Sequence, residues 1–143
     1  MEQWENAIDE YSKVLEINPD YSAAYYVRGS AYNRIGQFDK AIEDFSFAIN
    51  SNPQNKLAWY NRGVAHGNLK QWEYAITDYS KTIELDPQYV SAYINRGAAY
   101  SYLGKWDLAL IEYSKAIEID PKNSIAISNR EIAYRNLHDK KKS

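Results

Sequence analysis

Four arginines, Arg28, Arg62, Arg96 and Arg130, recur every 34 residues. A row of guanidinium groups at one phase of successive helices has the chemistry to hold phosphates along a groove, because each planar fork presents several fixed donors. The same period carries Glu10, Asp44, Asp78 and Glu112, so the arginines have acids in phase with them. That match favours structural ion pairs of Arg28, Arg62 and Arg96 with Asp44, Asp78 and Glu112 over contact with phosphate or RNA and over capture of a peptide carboxylate. Pairs of this kind are weak evidence for net stability, although removing one partner costs about 3–5 kcal/mol. One residue earlier runs a second row, Asn61, Asn95 and Asn129, with Val27 at the first position. A carboxamide offers a donor and an acceptor together, which suits a peptide group without demanding a particular side chain. A solvated helix face is the other reading of that row.

Residue types suited to catalysis are thin. His66 and His138 stand far apart and outside metal-ligand spacings such as HExxH. His66 is expected as a substitution within the core. The chain has no cysteine, which removes thiol catalysis, disulfides and cysteine-based zinc sites together. Gly29, Gly63 and Gly97 fall inside helical patterns instead of a phosphate loop or a serine elbow. No enzyme activity, metal or cofactor is therefore expected. A formal net charge of -2 supplies no global attraction to nucleic acid or to anionic membranes. The run Lys140, Lys141 and Lys142 is read as a solvated tail, against a short nucleic-acid or lipid contact. No apolar run approaches the roughly 20 residues that span a bilayer, and the first residues lack a basic start with an apolar stretch. The expectation is a cytoplasmic protein without a membrane segment.

The elements that must position these rows carry the same period. Pro19, Pro53, Pro87 and Pro121 keep it, as do Ala7, Ala41, Ala75 and Ala109, and such self-similarity marks a stacked-repeat architecture. Between prolines the apolar residues follow helical spacing in two blocks. Phe38, Ala41, Ile42, Phe45, Ala48 and Ile49 form the stripe of a second helix, B, after a first helix, A, carrying Tyr25, Ala31 and Tyr32. Gly36 closes helix A, and Pro53 prevents helix B from continuing. Small residues at Gly29, Gly63 and Gly97 let the two helices of a unit approach, with aromatics filling the space beside them.

This pattern resembles the tetratricopeptide repeat family. The likeness is carried by Trp59, Gly63, Ala75, Tyr79 and Pro87 in one unit, and by Tyr93, Gly97, Tyr100, Ala109, Tyr113, Ala116 and Pro121 in the next. Arginine stands where the family usually has leucine, His66 replaces a tyrosine, Thr82 an alanine and Lys70 the turn glycine. The resemblance implies an all-α, right-handed superhelical solenoid of antiparallel helix pairs, about eight helices in all. Its divisions are a helix B over 1–21, repeats over 22–55, 56–89 and 90–123, a capping helix A over 124–138 and the basic tail 139–143. It also implies that the asparagine row faces a concave groove and pairs with an extended peptide. Tyr26, Tyr60 and Ile94 would share that face with Asn61, Asn95 and Asn129, and Ser30, Val64 and Ala98 would follow one turn on. The chaperone-binding branch clamps a terminal carboxylate with lysines, asparagines and an arginine at set groove positions. Only the asparagine at the middle position is met here: Tyr26, Ser30, Ser91 and Asn95 occupy the others in one frame, and Tyr60, Val64, Ile125 and Asn129 in the next, so no chaperone-type clamp is expected. The function implied is a scaffold binding a peptide or helix of another protein. The alternative is self-assembly through the N-terminal helix, where Trp4, Ala7, Ile8 and Tyr11 would leave an apolar stripe exposed. RNA binding ranks below both.

Overall fold

Proline turns and left-handed helix ends divide the chain into eight helices among the described residues, 1–142 of the computed structural model. They are α1 Glu2–Ile17, α2 Ser22–Arg34, α3 Phe38–Ser51, α4 Lys56–Asn68, α5 Trp72–Leu85, α6 Val90–Tyr102, α7 Trp106–Ile119 and α8 Ser124–Lys142. None of these helices is long and apolar enough to cross a membrane. Two compact units emerge, Met1–Gln71 and Trp72–Ser143, so the division falls inside the segment 56–89 that the sequence reads as one repeat. In the first unit α1 packs on α2, α2 on α3 and α3 on α4. In the second α5 packs on α6, α6 on α7 and α7 on α8. Connections this short make packed neighbours antiparallel.

Helix A ends in the same way in three places. The amide of Gln37 reaches back to the Tyr32 carbonyl at 2.9 Å and that of Gly36 to Asn33 at 3.2 Å, with Gly36 at φ 82°. This double bond satisfies carbonyls that the helix end would otherwise leave unpaired. Gly104 repeats the arrangement at φ 75°, and Lys70 does so at φ 60°, where an L side chain is strained. The other connection is a proline turn. The amides of Tyr21, Asn55, Tyr89 and Asn123 bond the carbonyl three residues back, across the proline. Tyr25 and Tyr93 hydroxyls and the Trp59 indole then donate to the carbonyls of Pro19, Pro87 and Pro53 at 2.8–2.9 Å. The recurring aromatic of helix A thus ties its own first turns to the turn before it.

Each unit is built around small residues. Ala41, Ala75 and Ala109 are wholly buried, beside Phe45, Tyr79 and Tyr113. A methyl group on Gly29 would fall 3.0 Å from the Phe45 ring, and one on Gly97 only 2.6 Å from that of Tyr113. Thr82, in the place of a core alanine, is fully buried, and its hydroxyl donates to the Asp78 carbonyl at 3.0 Å, so its polarity costs little.

Four expectations are corrected. His66 is half-buried instead of in the core, its Nδ1 2.7 Å from Gln71 Oε1 at the α4 terminus. Trp4, Ala7, Ile8 and Tyr11 are half-buried against α2 instead of exposed, because α2 covers the face that the stripe presents. Ile94 is buried in the second unit's core with Tyr93, Ala109 and Ala126, so it offers no open groove surface. The helix α8 continues beyond residue 138 to Lys142, since lysines are good helix formers and no glycine or proline stops it. Ser143 of the expected tail lies outside the described residues.

Candidate functional site

The arginine row meets two rows at once. Arg28 on α2 donates from Nε and Nη2 to Asp44 on α3, both at 2.8 Å, and from Nη1 to the Ser12 hydroxyl on α1 at 3.1 Å. The rings of Tyr25 and Tyr32 flank its guanidinium at 5.8 Å. In the second unit Arg96 donates from Nε to Glu112 at 2.5 Å and from Nη1 to Ser80 at 3.0 Å. Arg62 donates to Ser46 at 3.0 Å; its in-phase acid, the buried Asp78, belongs to the other unit. Asp44 and Glu112 are themselves buried. The Asp44 hydrogen bonds hold the Arg28 pKa above its ordinary value, against the opposing effect of burial. Every nitrogen of Arg28 is engaged, which leaves it poorly placed to receive a phosphate. Ser12, Ser46 and Ser80 keep the 34-residue period, and that signal in the sequence marks the helix B side of each arginine contact.

The open chemistry lies beside these contacts. In the first unit α2 and α4 line a surface groove of about 500 Å³. From α2 come Tyr26, Ser30, Asn33 and Arg34, and from α4 come Tyr60, Asn61, Val64 and Asn68, with Phe38 of α3 at one end. Asn61 donates to the Tyr26 hydroxyl at 3.3 Å, and Asn33 donates to the Asn61 carbonyl at 3.1 Å. These bonds fix the orientation of both carboxamides and couple α2 to α4. The Asn33 Oδ1 is buried without a hydrogen bond. Asn33, Arg34 and Asn68 are groove residues that the sequence reading missed. They stand three and four residues beyond Ser30 and Val64 on the same helix faces, and helical spacing is the signal that finds them.

The second unit has its own groove, about 260 Å³, at the same repeat positions two repeats on. Ala98, Ser101, Tyr102 and Trp106 take the places of Ser30, Asn33, Arg34 and Phe38, and Asn129 and Ile132 of α8 those of Asn61 and Val64. Tyr113 forms part of the wall. Burial raises its pKa, partly opposed by a 3.2 Å hydrogen bond with Ser101. Tyr102 stacks on Trp72 with centroids 4.3 Å apart. Of the expected groove residues, Tyr26, Tyr60 and Asn61 thus come together in one unit, and Asn129 lines the other. Asn95 is half-buried on α6 and lines neither groove. Among the described residues no cluster of three His, Asp or Glu side chains is arranged to hold a metal.

Paired antiparallel helices with a polar and apolar groove across successive A helices define a helical-repeat protein. The chain belongs to the tetratricopeptide repeat family: the tetratricopeptide repeat model matches residues 57–89 and 90–123, and a second TPR repeat model matches 1–36 and 29–70. No curated protein matches it. Among solved structures it is similar to the crystal structure of MamA protein, with 28% identity and TM-score 0.91 over 95% of this chain and 74% of that one. The first TPR of Spaghetti (RPAP3), bound to the HSP90 peptide SRMEEVD, is 27% identical with TM-score 0.79, over 82% of this chain and 93% of that one. The second TPR domain of human RPAP3, in complex with the HSP70 peptide SGPTIEEVD, is 26% identical with TM-score 0.75, over 79% of this chain and 98% of that one.

Proposed function

We propose that the chain is a protein-interaction scaffold that binds an extended segment of a partner along its A-helix grooves. The carrying observation is the recurrence of a groove at equivalent positions in both units, lined by a mixture of polar and apolar side chains. Asn61 keeps its Oδ1 as an acceptor while its amide is held by Tyr26, which suits a peptide N–H. The peptide-bound relatives support the reading at the level of class. The chaperone-type clamp is not carried over, since Tyr26, Ser30, Tyr60 and Val64 supply no lysine at its positions. To test the reading, peptides selected against the intact chain from a random display library would be measured on Val64→Trp and Ala98→Trp, which fill the grooves. Affinity should fall at least about tenfold for a peptide using the filled groove. Selected peptides that bind both variants as they bind the parent would refute it.

A second reading is self-association, now favoured at α7 and α8 over α1. Ile111 and Tyr134 are 61% and 53% exposed, and with Leu110 they line a shallow outer groove of about 410 Å³. Sedimentation of the parent beside Ile111→Asp decides it: a concentration-dependent dimer lost in the variant supports association, and a monomer throughout removes it.

A further inference from the structure

We propose that the groove of the first unit selects an acidic stretch of its partner, and that Arg34 is the residue that reads the carboxylate. This rests on the groove reading above and adds the sign of the partner's charge. Among the described residues lining that groove, Arg34 alone carries a full charge, and no aspartate or glutamate lines it. Asn33, Asn61 and Asn68 add neutral carboxamides to the same lining.

The two arginines of α2 are used differently. Arg28 spends all three nitrogens on Asp44 and Ser12. Arg34, the last residue of the helix, is exposed and pairs with no acid among the described residues. Its guanidinium lies 5.2 Å from the Trp4 ring centroid. Stacking on an aromatic face limits the wandering of the side chain and leaves the N–H edge of the fork open to a planar, two-oxygen acceptor. The exposed cation is therefore held in place at low entropic cost to the ligand. At the equivalent position the second unit has Tyr102, so its groove has no such cation and its wall is largely apolar. Charge selection belongs to the first unit alone. A phosphate chain is the less suitable anion, since the protein carries a net charge of -2 and one cation gives a polyanion little to hold.

The test uses the full chain, ¹⁵N-labelled, titrated with a nine-residue peptide of alternating glutamate and valine with blocked ends, and with its glutamine-for-glutamate twin. The glutamate peptide should bind about tenfold tighter, as expected for a charge-assisted, bidentate contact, and should move the Arg34 Nε–H resonance. Arg34→Gln, whose helical content and melting are checked first, should erase the difference between the twins. Arg34→Glu should reverse it in favour of a lysine-for-glutamate peptide. Equal binding of the twins by the parent, abolished by Val64→Trp, would remove Arg34 as the selector and leave the groove reading intact. No binding by any peptide would overturn both. An oligouridylate that binds more tightly than the glutamate peptide through Arg34 would overturn the proposal in favour of a phosphate ligand.

Discussion

Gly97→Ala sets two ordinary effects against each other, and the geometry says which wins. Alanine is the better helix former by about 1 kcal/mol, so an exposed glycine in the middle of α6 would be improved by the change. Gly97 is not exposed. A Cβ there would lie 2.6 Å from Tyr113 Cε1 and 3.0 Å from both Cδ1 and Cζ. The ring has little room to retreat, because Tyr113 is buried and its hydroxyl is bonded to Ser101 on the same helix as the glycine. Overpacking of this kind costs about 1–3 kcal/mol, so the net expectation is a loss of about 1 kcal/mol, or roughly 3–6 °C in melting temperature. Gly29→Ala supplies the internal control. Its nearest ring atom lies at 3.0 Å and the next contacts at 3.1 and 3.2 Å, so a shift of a few tenths of an ångström relieves it and the net effect should be near zero. Urea unfolding followed by circular dichroism would compare the two. Combining Gly97→Ala with Tyr113→Leu should cost less than the sum of the single changes, because the shared contact is removed once. A Gly97→Ala protein as stable as the parent or more so would refute the close-approach argument and leave propensity in charge.

Lys70→Gly should stabilise the chain by about 0.5–1 kcal/mol, since it relieves a side chain held at φ 60° while glycine's larger unfolded-state entropy takes back part of the gain; a lower urea midpoint would contradict this. Arg28→Ala and Asp44→Ala should each destabilise by about 3 kcal/mol by stranding a partly buried partner, and the double variant should lose clearly less than the sum; strict additivity in the cycle would show the pair to be uncoupled.

Much of the fold was legible because its determinants repeat. The prolines, the buried alanines and the close-approach glycines each recur at one phase, so a single period yields helix number, helix ends and the side of each helix that packs. Even Lys70, which has no glycine-like signal of its own, is placed by the period at the turn position, and the hydrogen bonds that close α4 hold it in the left-handed turn. The failures have local causes. His66 stands at the phase of Tyr32 and Tyr100, which are half-buried as it is but pack against the core clusters, whereas its imidazole lies 2.7 Å from Gln71 Oε1 at the helix end. The N-terminal stripe was expected at the surface, but α2 packs on α1 and half-buries it.

The candidate site was less legible, because phase tells which face a residue occupies but not what chemistry the face presents. Tyr26, Tyr60 and Ile94 share one phase; the tyrosines line a groove, whereas the shorter, wholly apolar Ile94 sinks into the core. Asn61 lies where the row predicts, yet one of its donors is already given to Tyr26, which makes it part of the groove's frame as well as its lining. The groove's distinctive groups do not repeat at all: Asn33 gives way to Ser101, Arg34 to Tyr102, and Ser30 to Val64, Ala98 and Ile132. The invariant positions of the repeat, by contrast, are the ones the structure spends on packing, turns and the arginine contacts. Within this chain, most residues that keep the period serve packing, a helix end or an arginine contact, and Asn61 of the asparagine row also braces α2 against α4. Positions on the open face that break the period are free of those demands, and so they are the places where the proposed binding would be made specific.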